Sequence, residues 1–443
     1  MQNKNILVIT PFFAPETHAA VFRAHKLVKY LKREGWNPIV LTVNTNYIYN
    51  EDESLLKDLE GVEIYRTEYI EPSLRGLYMW ITGKDRTFKT LKKLKQNTEN
   101  TNSIESNTIL NKESFFKNYL YKYLLDNYLN VPDRFWTWRK GTVKKANQLI
   151  KEKNIQYIYT TSLPFTTLQI GSRLKKEHNV KWIADFRDPI MYSLRNHSSL
   201  PRVFKEQKQI EIDALESADI ITGLSSSYKL IYHDLYGGKY DKKTHFIPTG
   251  ADDDYIPKEE INPLNEIIYI GEFLKDYGGV FFEYLESFLK TKPELNESFQ
   301  IRFIGNSAIN KKAINEVGIS SLIKEKLIFE DHLPQKELYK RIVASKAVLL
   351  IPGYDSHWWT NFAKMVDYIA LQKYVLAIVP NPSEARKELT NANLGLFLDN
   401  EEQALKCFSS ITNSTFSQEP NEEFCKKYLA SSQVKQFIQI IEG

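Results

Sequence analysis

The chain has 443 residues, 42% of them apolar and 26% charged, with a net charge of +4. That length exceeds one ordinary core and suits two α/β domains, and the composition argues against a disordered or membrane-embedded chain. The small net charge argues against nucleic-acid binding, no apolar run reaches the ~18 to 20 residues of a spanning helix, and Cys407 and Cys425 lack disulfide or metal-site spacing.

In chain order, Ile6 to Thr10 reads as the first strand. After the loop PFFAPETHA, residues Val21, Ala24, Leu27, Val28 and Leu31 recur at helical spacing, and Gly35 suits the helix end. Pro38 to Val43 is the second strand, and Val62 to Arg66, Tyr157 to Thr161, Lys181 to Asp185 and Asp219 to Thr222 continue the series. Helices are expected near 139–153, 165–178 and 202–217. Short β-rich runs alternating with amphipathic helices predict a doubly wound parallel sheet, one Rossmann-like domain over 1–247.

The block from about 71 to 130 interrupts this rhythm, with the Asn- and Ser-rich QNTENTNSIESNT reading as a loop. Its flanks and sequel carry Leu77, Tyr78, Met79 and Trp80, then Arg134, Phe135, Trp136, Trp138 and Arg139. These suit a membrane interface or a bulky acceptor, and equally suit packing on their own domain.

FIPTGADDDYIPKEEINPLNE reads as a hinge over 248–263, with Asp252, Asp253 and Asp254 solvated. A second Rossmann-like series covers 264–420, with strands at 266–270, 299–304, 326–329, 347–351, 375–379 and 395–398. Helical stretches at 401–410 and 420–442 follow, and residues 421–443 are candidates to cross back to the first domain.

Ligands of open α/β sheets bind outside the carboxyl ends of the strands, which directs attention to post-strand loops. In IPGYDSHWWTNFAKMVDY, Lys364 and Asp367 are three apart near a predicted helix start. Helix-terminal NH groups with Thr360, Asn361 and the Lys364 ammonium suit a diphosphate, and Asp367 suits ribose or sugar hydroxyls, unless the two are a solvated charge pair. The loop after the first strand offers Glu16, His18 and Arg23 for an acceptor, or a simple capped helix. No Asp-x-Asp metal motif follows a strand, so neither metal nor cofactor is expected.

Four segments, KWIADFRDP, FIPTGAD, IIYIGEF and FAKMVDYIALQKYVLAIVP, resemble in order and spacing the retaining, family-4 type glycosyltransferases of the GT-B fold, over nearly the whole chain. The resemblance implies two Rossmann-like domains facing across a cleft, a nucleotide-diphosphate sugar on the second and a saccharide or lipid-linked acceptor on the first. It also implies metal-independent transfer with retention. The lack of a spanning run points to the cytoplasm, and the aromatic and basic insertion suits peripheral contact with the inner face of the membrane. It assigns donor contacts to Gly271, Glu272, Tyr354, Thr360, Asn361, Lys364 and Asp367, and catalytic roles to Lys364 and Asp185, with Arg187 structural. This sequence departs from the family at Trp359, where an acidic residue is usual, and at Glu272 and about Tyr277, where Arg and Lys are usual. Those departures leave Lys364 as the phosphate cation. They also keep two rival readings open, a degenerate nucleotide-sugar-binding or partner protein and a sugar-nucleotide epimerase.

Overall fold

A computed structural model describes residues 3–17, 19–45, 51–82, 123–193, 196–273, 275–292, 299–351 and 358–443. The chain divides into two compact units, one of residues 1–223 and 229–245, the other of residues 224–228 and 246–443. The predicted loop at 96–108 lies outside the described residues.

In the first unit β1 (Asn5–Ile9), β2 (Asn37–Val43), β3 (Glu63–Thr67), β4 (Tyr157–Ser162), β5 (Lys181–Phe186), β6 (Ile220–Gly223) and β7 (Thr244–Phe246) form one sheet in the order β3-β2-β1-β4-β5-β6-β7. Pairing from β3 through β6 is parallel. The central strands are continuous apolar runs because helices cover both faces; Ile6 to Ile9 have no exposed surface. Helix Ala19–Arg33 buries Val21, Ala24, Val28 and Leu31 along one stripe, and Gly35, at φ +77°, takes the left-handed conformation that ends it. Sequence periodicity missed only β7, whose three residues are too few to show a pattern.

The aromatic flanks divide between the two readings. Trp138 has no exposed surface and donates its indole N–H to the Thr67 hydroxyl at 2.7 Å, and Met79 is buried. By contrast, Leu74, Leu77, Trp80 and Ile81 on helix Leu74–Thr82 are 48–68% exposed. No helix among the described residues is long and apolar enough to cross a membrane.

In the second unit β8 (Glu266–Ile270), β9 (Gln300–Ile304), β10 (Leu327–Glu330), β11 (Ala347–Leu350), β12 (Val375–Ala377) and β13 (Gly395–Phe397) form a parallel sheet in the order β10-β9-β8-β11-β12-β13. Alternate side chains feed its two cores: Ile267 and Tyr269 pack with Phe281, Phe303 and Phe408, while Ile268 packs with Met365, Val366 and Ile369. The two Rossmann-like doubly wound domains expected from the sequence are therefore present.

Two expectations are corrected. The helix predicted over 420–442 breaks into Glu422–Lys426 and Ala430–Glu442, because Leu429 is extended and bridges Ala251: the Ala251 amide donates to Tyr428 O and the Ala430 amide to Ala251 O, both at 2.8 Å. The hinge aspartates are not all solvated. Asp252 is 1% exposed and caps the short turn Asp253–Tyr255, and Asp253 accepts hydrogen bonds from the Ser431 amide and hydroxyl.

Candidate functional site

In each sheet the winding reverses once, between β1 and β4 and between β8 and β11. Loops leaving adjacent strands in opposite directions open a crevice at such a point, where ligands of this architecture bind.

At the second reversal β8 ends in Gly271, whose φ of +107° favours glycine. Asn310, fully buried, locks the turn by donating to Gly271 O at 3.0 Å and accepting from the Phe273 amide at 2.8 Å. The turn after β9 crosses it so closely that a Cβ at Gly305 would lie 2.6 Å from Gly271 O. The exposed Glu272 contributes its carbonyl, which accepts from the Tyr269 hydroxyl at 2.9 Å.

Beyond β11, helix Ala363–Ala370 starts after Phe362 without a side-chain cap and packs its Met365, Val366 and Ile369 on the Ile268 face. Lys364, in its first turn, reaches over the strand end to the opposite face. Its ammonium donates to Ile270 O at 3.0 Å and sits 4.3 Å from the centre of the Tyr269 ring. Burial pushes its pKa from 10.5 down to about 8, and no carboxylate among the described residues forms an ion pair with it. Just before this helix in the chain, the Thr360 hydroxyl and both side-chain atoms of Asn361 are buried. Asn361 approaches the Tyr428 hydroxyl, but none of the three atoms meets a partner with hydrogen-bond geometry among the described residues. The Lys364 cation at the Gly271 turn, with Thr360 and Asn361 just before its helix, is the candidate cradle for an anionic, hydrogen-bonding ligand.

Asp367 does not stand beside Lys364 as an open carboxylate. Its Oδ1 accepts from the hydroxyl of the fully buried Tyr339 at 2.5 Å, so one helical turn separates residues with different partners. Trp359 is a core residue, edge-on to Tyr228 with ring centres 5.9 Å apart. Tyr354 and His18 lie outside the described residues.

At the first reversal Asp185 and Arg23, expected to serve separate roles, meet as one buried pair. Strand register sets Thr161, Asp185 and Thr222 side by side on β4, β5 and β6. Both hydroxyls donate to the Asp185 carboxylate, at 2.8 and 2.6 Å, and Arg23 grips it with Nε at 2.8 Å and a second nitrogen at 2.5 Å. Asp185 is 0% and Arg23 8% exposed. Burial alone would raise the Asp185 pKa, but the guanidinium and the hydroxyls hold it below the ordinary value. Every strong hydrogen-bonding direction of this carboxylate is used inside the domain, which ties Asp185 and Arg23 into an internal clamp. Arg187 also serves the framework, donating to Ser162 O at 3.0 Å and to Leu163 O at 2.5 Å. Glu16 bridges to Glu51 through the backbone, and burial raises its carboxyl pKa despite the opposing influence of Arg134.

Sequence reading missed Gly305, Asn310 and Tyr269. The signal for the first was available: IYIG and RFIG are two strands ending alike in Ile-Gly. It missed Glu384 as well, 3% exposed, which accepts from the Ser226 amide and from the Ser226 and Ser227 hydroxyls at 2.7–3.0 Å.

No family model and no curated protein matches the chain. Among solved structures it is similar to a sucrose-phosphate synthase from Thermosynechococcus elongatus (TM-score 0.58, 12% identity, 99% of this chain and 98% of that one). It is similar to a trehalose-6-phosphate synthase (0.59, 13%, 99% and 99%) and to a UDP-N-acetylglucosamine 2-epimerase (0.52, 12%, 100% and 96%). At these identities the likeness is one of fold, and the fold shared is a pair of Rossmann-like α/β domains.

Proposed function

We propose that the chain is a glycosyltransferase, moving a sugar from a nucleotide-diphosphate donor to a hydroxyl of a saccharide or lipid-linked acceptor. The observation that carries this reading is the Lys364 ammonium, without a carboxylate partner among the described residues, at a sheet reversal and flanked by the orphaned Thr360 and Asn361 groups. Lys364 neutralises the diphosphate as the glycosidic bond breaks and negative charge builds on the leaving oxygen. Thr360 and Asn361 bond phosphate or sugar oxygens, and the open Gly271 turn lets the ligand approach the backbone. The family resemblance implies retention by same-face attack, the departing phosphate taking the acceptor proton as the acceptor oxygen replaces it at the anomeric carbon. Two of the fold neighbours are named for synthesising phosphorylated disaccharides, in keeping with sugar transfer.

The finer assignments are a metal-independent, family-4-like retaining enzyme of surface polysaccharide or glycoconjugate synthesis, working in the cytoplasm. The exposed Leu77, Trp80 and Ile81 side chains suit peripheral contact with the inner membrane face. The decisive experiment follows nucleotide-diphosphate sugars by nuclear magnetic resonance, with and without acceptor sugars. Acceptor-dependent release of nucleoside diphosphate with the anomeric configuration kept supports transfer. Epimerisation of the donor without acceptor would instead establish the activity of the epimerase neighbour, and binding without turnover would leave a degenerate nucleotide-sugar binder.

A further inference from the structure

On helix Leu74–Thr82, Leu77, Trp80 and Ile81 stand at helical spacing on the outer face while Met79 turns inward. Helix Trp136–Glu152 starts against the approach to this one: the Thr137 hydroxyl donates to Ile70 O at 2.6 Å, and the Tyr69 and Phe135 rings are 4.8 Å apart. Tyr128 and Leu129 are exposed as well, and the exposed Trp136 donates its indole N–H to Leu129 O at 2.6 Å. Helix Trp136–Glu152 buries Trp138, Thr142, Val143, Ala146 and Leu149 and turns Trp136, Arg139, Lys140 and Lys144 to solvent. Their helical spacing keeps these four on one face. From Phe135 to Lys151 the sequence adds Lys145 and Lys151 and contains no acidic residue. Arg139 donates to the Gln169 side chain at 2.6 Å, and Arg139, Lys140 and Lys144 form no ion pair among the described residues.

We propose that this face docks on a bilayer containing anionic phospholipid, with Leu77, Trp80, Ile81 and Trp136 entering the interfacial layer and Arg139, Lys140 and Lys144 meeting the headgroup phosphates. Exposed indole and aliphatic groups beside an acid-free basic stripe are the composition of elements that lie in a membrane interface, where apolar insertion and attraction to charged lipid add. A nucleic acid would engage the cations and the indoles but would leave Leu77 and Ile81 without apolar cover. Residues Pro132 and Phe135, which lead into helix Trp136–Glu152, wall a cavity of about 280 Å³ that the loops after β1, β4 and β5 close with Phe12, Phe165 and Arg187. Docking through this face therefore sets the reversal of the first sheet next to the bilayer, where the acceptor is a lipid-linked rather than a free saccharide. That last step rests on the transferase reading; the lipid contact does not.

The test mixes the full-length protein with sedimentable vesicles of phosphatidylcholine, alone or with about one third phosphatidylglycerol. Binding to the anionic vesicles is expected to be tighter by about 10-fold or more, and to weaken when salt rises from roughly 50 to 300 mM. Each cation near an anionic surface strengthens binding about 5-fold, so Arg139→Gln, Lys140→Gln and Lys144→Gln combined should weaken it by on the order of 100-fold. Trp80→Ser with Ile81→Ser should weaken binding about 10-fold and keep the preference for anionic lipid. Lys311→Gln, Lys312→Gln and Lys336→Gln combined remove the same charge from exposed sites of the second unit and should leave binding within about 2-fold of the parent. All the substituted side chains are exposed, so thermal unfolding of each variant should match the parent. No binding to either vesicle, equal binding to both, parental binding by the combined Arg139, Lys140 and Lys144 variant, an equal loss in the second-unit control, or preference for a DNA duplex over the anionic vesicles overturns the proposal. UDP and GDP binding, measured in parallel, separates the two readings: vesicle binding without nucleotide binding refutes the donor site and leaves the docking face standing, and the reverse refutes the face alone.

Discussion

Replacing Lys364 with Met tests the donor cradle, because it removes the charge while keeping an unbranched side chain over Tyr269. In the ligand-free protein the fall in pKa from 10.5 to about 8 corresponds to roughly 3 kcal/mol against the charged form at neutral pH. The hydrogen bond to Ile270 O and the 4.3 Å approach to the Tyr269 ring return about 2 kcal/mol of that. The free variant should therefore be as stable as the parent or about 1 kcal/mol more stable. Binding moves the other way: a charge-assisted contact to phosphate contributes about 1.5–3 kcal/mol, so nucleoside-diphosphate affinity should fall about 10- to 150-fold. Thermal unfolding with and without UDP and GDP reads both effects, since a ligand of the native state raises its stability with concentration. The ammonium is the binding form, so parent affinity should drop as pH rises through about 8, while the variant stays flat. Ligand-free parent stability should rise between about pH 8 and 10.5, because the folded lysine loses its proton first and the unfolded chain still holds its own. A variant that binds diphosphates within about 2-fold of the parent would refute the reasoning.

Three further outcomes follow from the packing. Gly305→Ala places a Cβ 2.6 Å from Gly271 O, a clash with backbone, so chemical denaturation should show a loss of about 2 kcal/mol or more, together with weakened diphosphate binding. Asp185→Ala leaves Arg23 buried without its partner and should destabilise by about 3–5 kcal/mol, while Arg23→Met combined with Asp185→Leu should recover part of that loss; an Asp185→Ala protein of parental stability but no activity would restore the catalytic reading. Glu211, fully buried and accepting from the Tyr236 hydroxyl at 2.6 Å, is raised by burial to about 7. Its folded form keeps a proton that the unfolded chain releases above about 4.5, so stability should fall between about pH 4.5 and 7 by on the order of 2–3 kcal/mol, and Glu211→Gln should abolish that slope in pH-dependent melting.

The sequence was a sufficient guide to the sheets because apolar runs and helical stripes are local signals. Ile267–Ile270, bounded by Asn265 and Gly271, reads as a buried strand in any context, and helix Ala19–Arg33 is fixed by its own stripe. The position of Lys364 was legible for a related reason: the strand, the polar loop and the apolar stripe that follows place it in the first turn of a helix.

Partnership was not legible, because partners are set by register and strand order rather than by spacing. Nothing local in ADFRDP shows that Asp185 lies between Thr161 and Thr222, or that Arg23, 162 residues away, closes over it. The spacing of Lys364 and Asp367 suggested joint action, yet the helix turns one toward Ile270 and the other toward Tyr339 on a different element. The cavity beside Phe12 draws on loops after three strands that are distant in sequence and adjacent only once the sheet has formed. Hydrophobic periodicity by itself determined where the strands and helices run, since each residue's burial preference acts within its own segment. Which charges meet, and which remain for a ligand, was decided only when parallel pairing brought remote strand ends into one row.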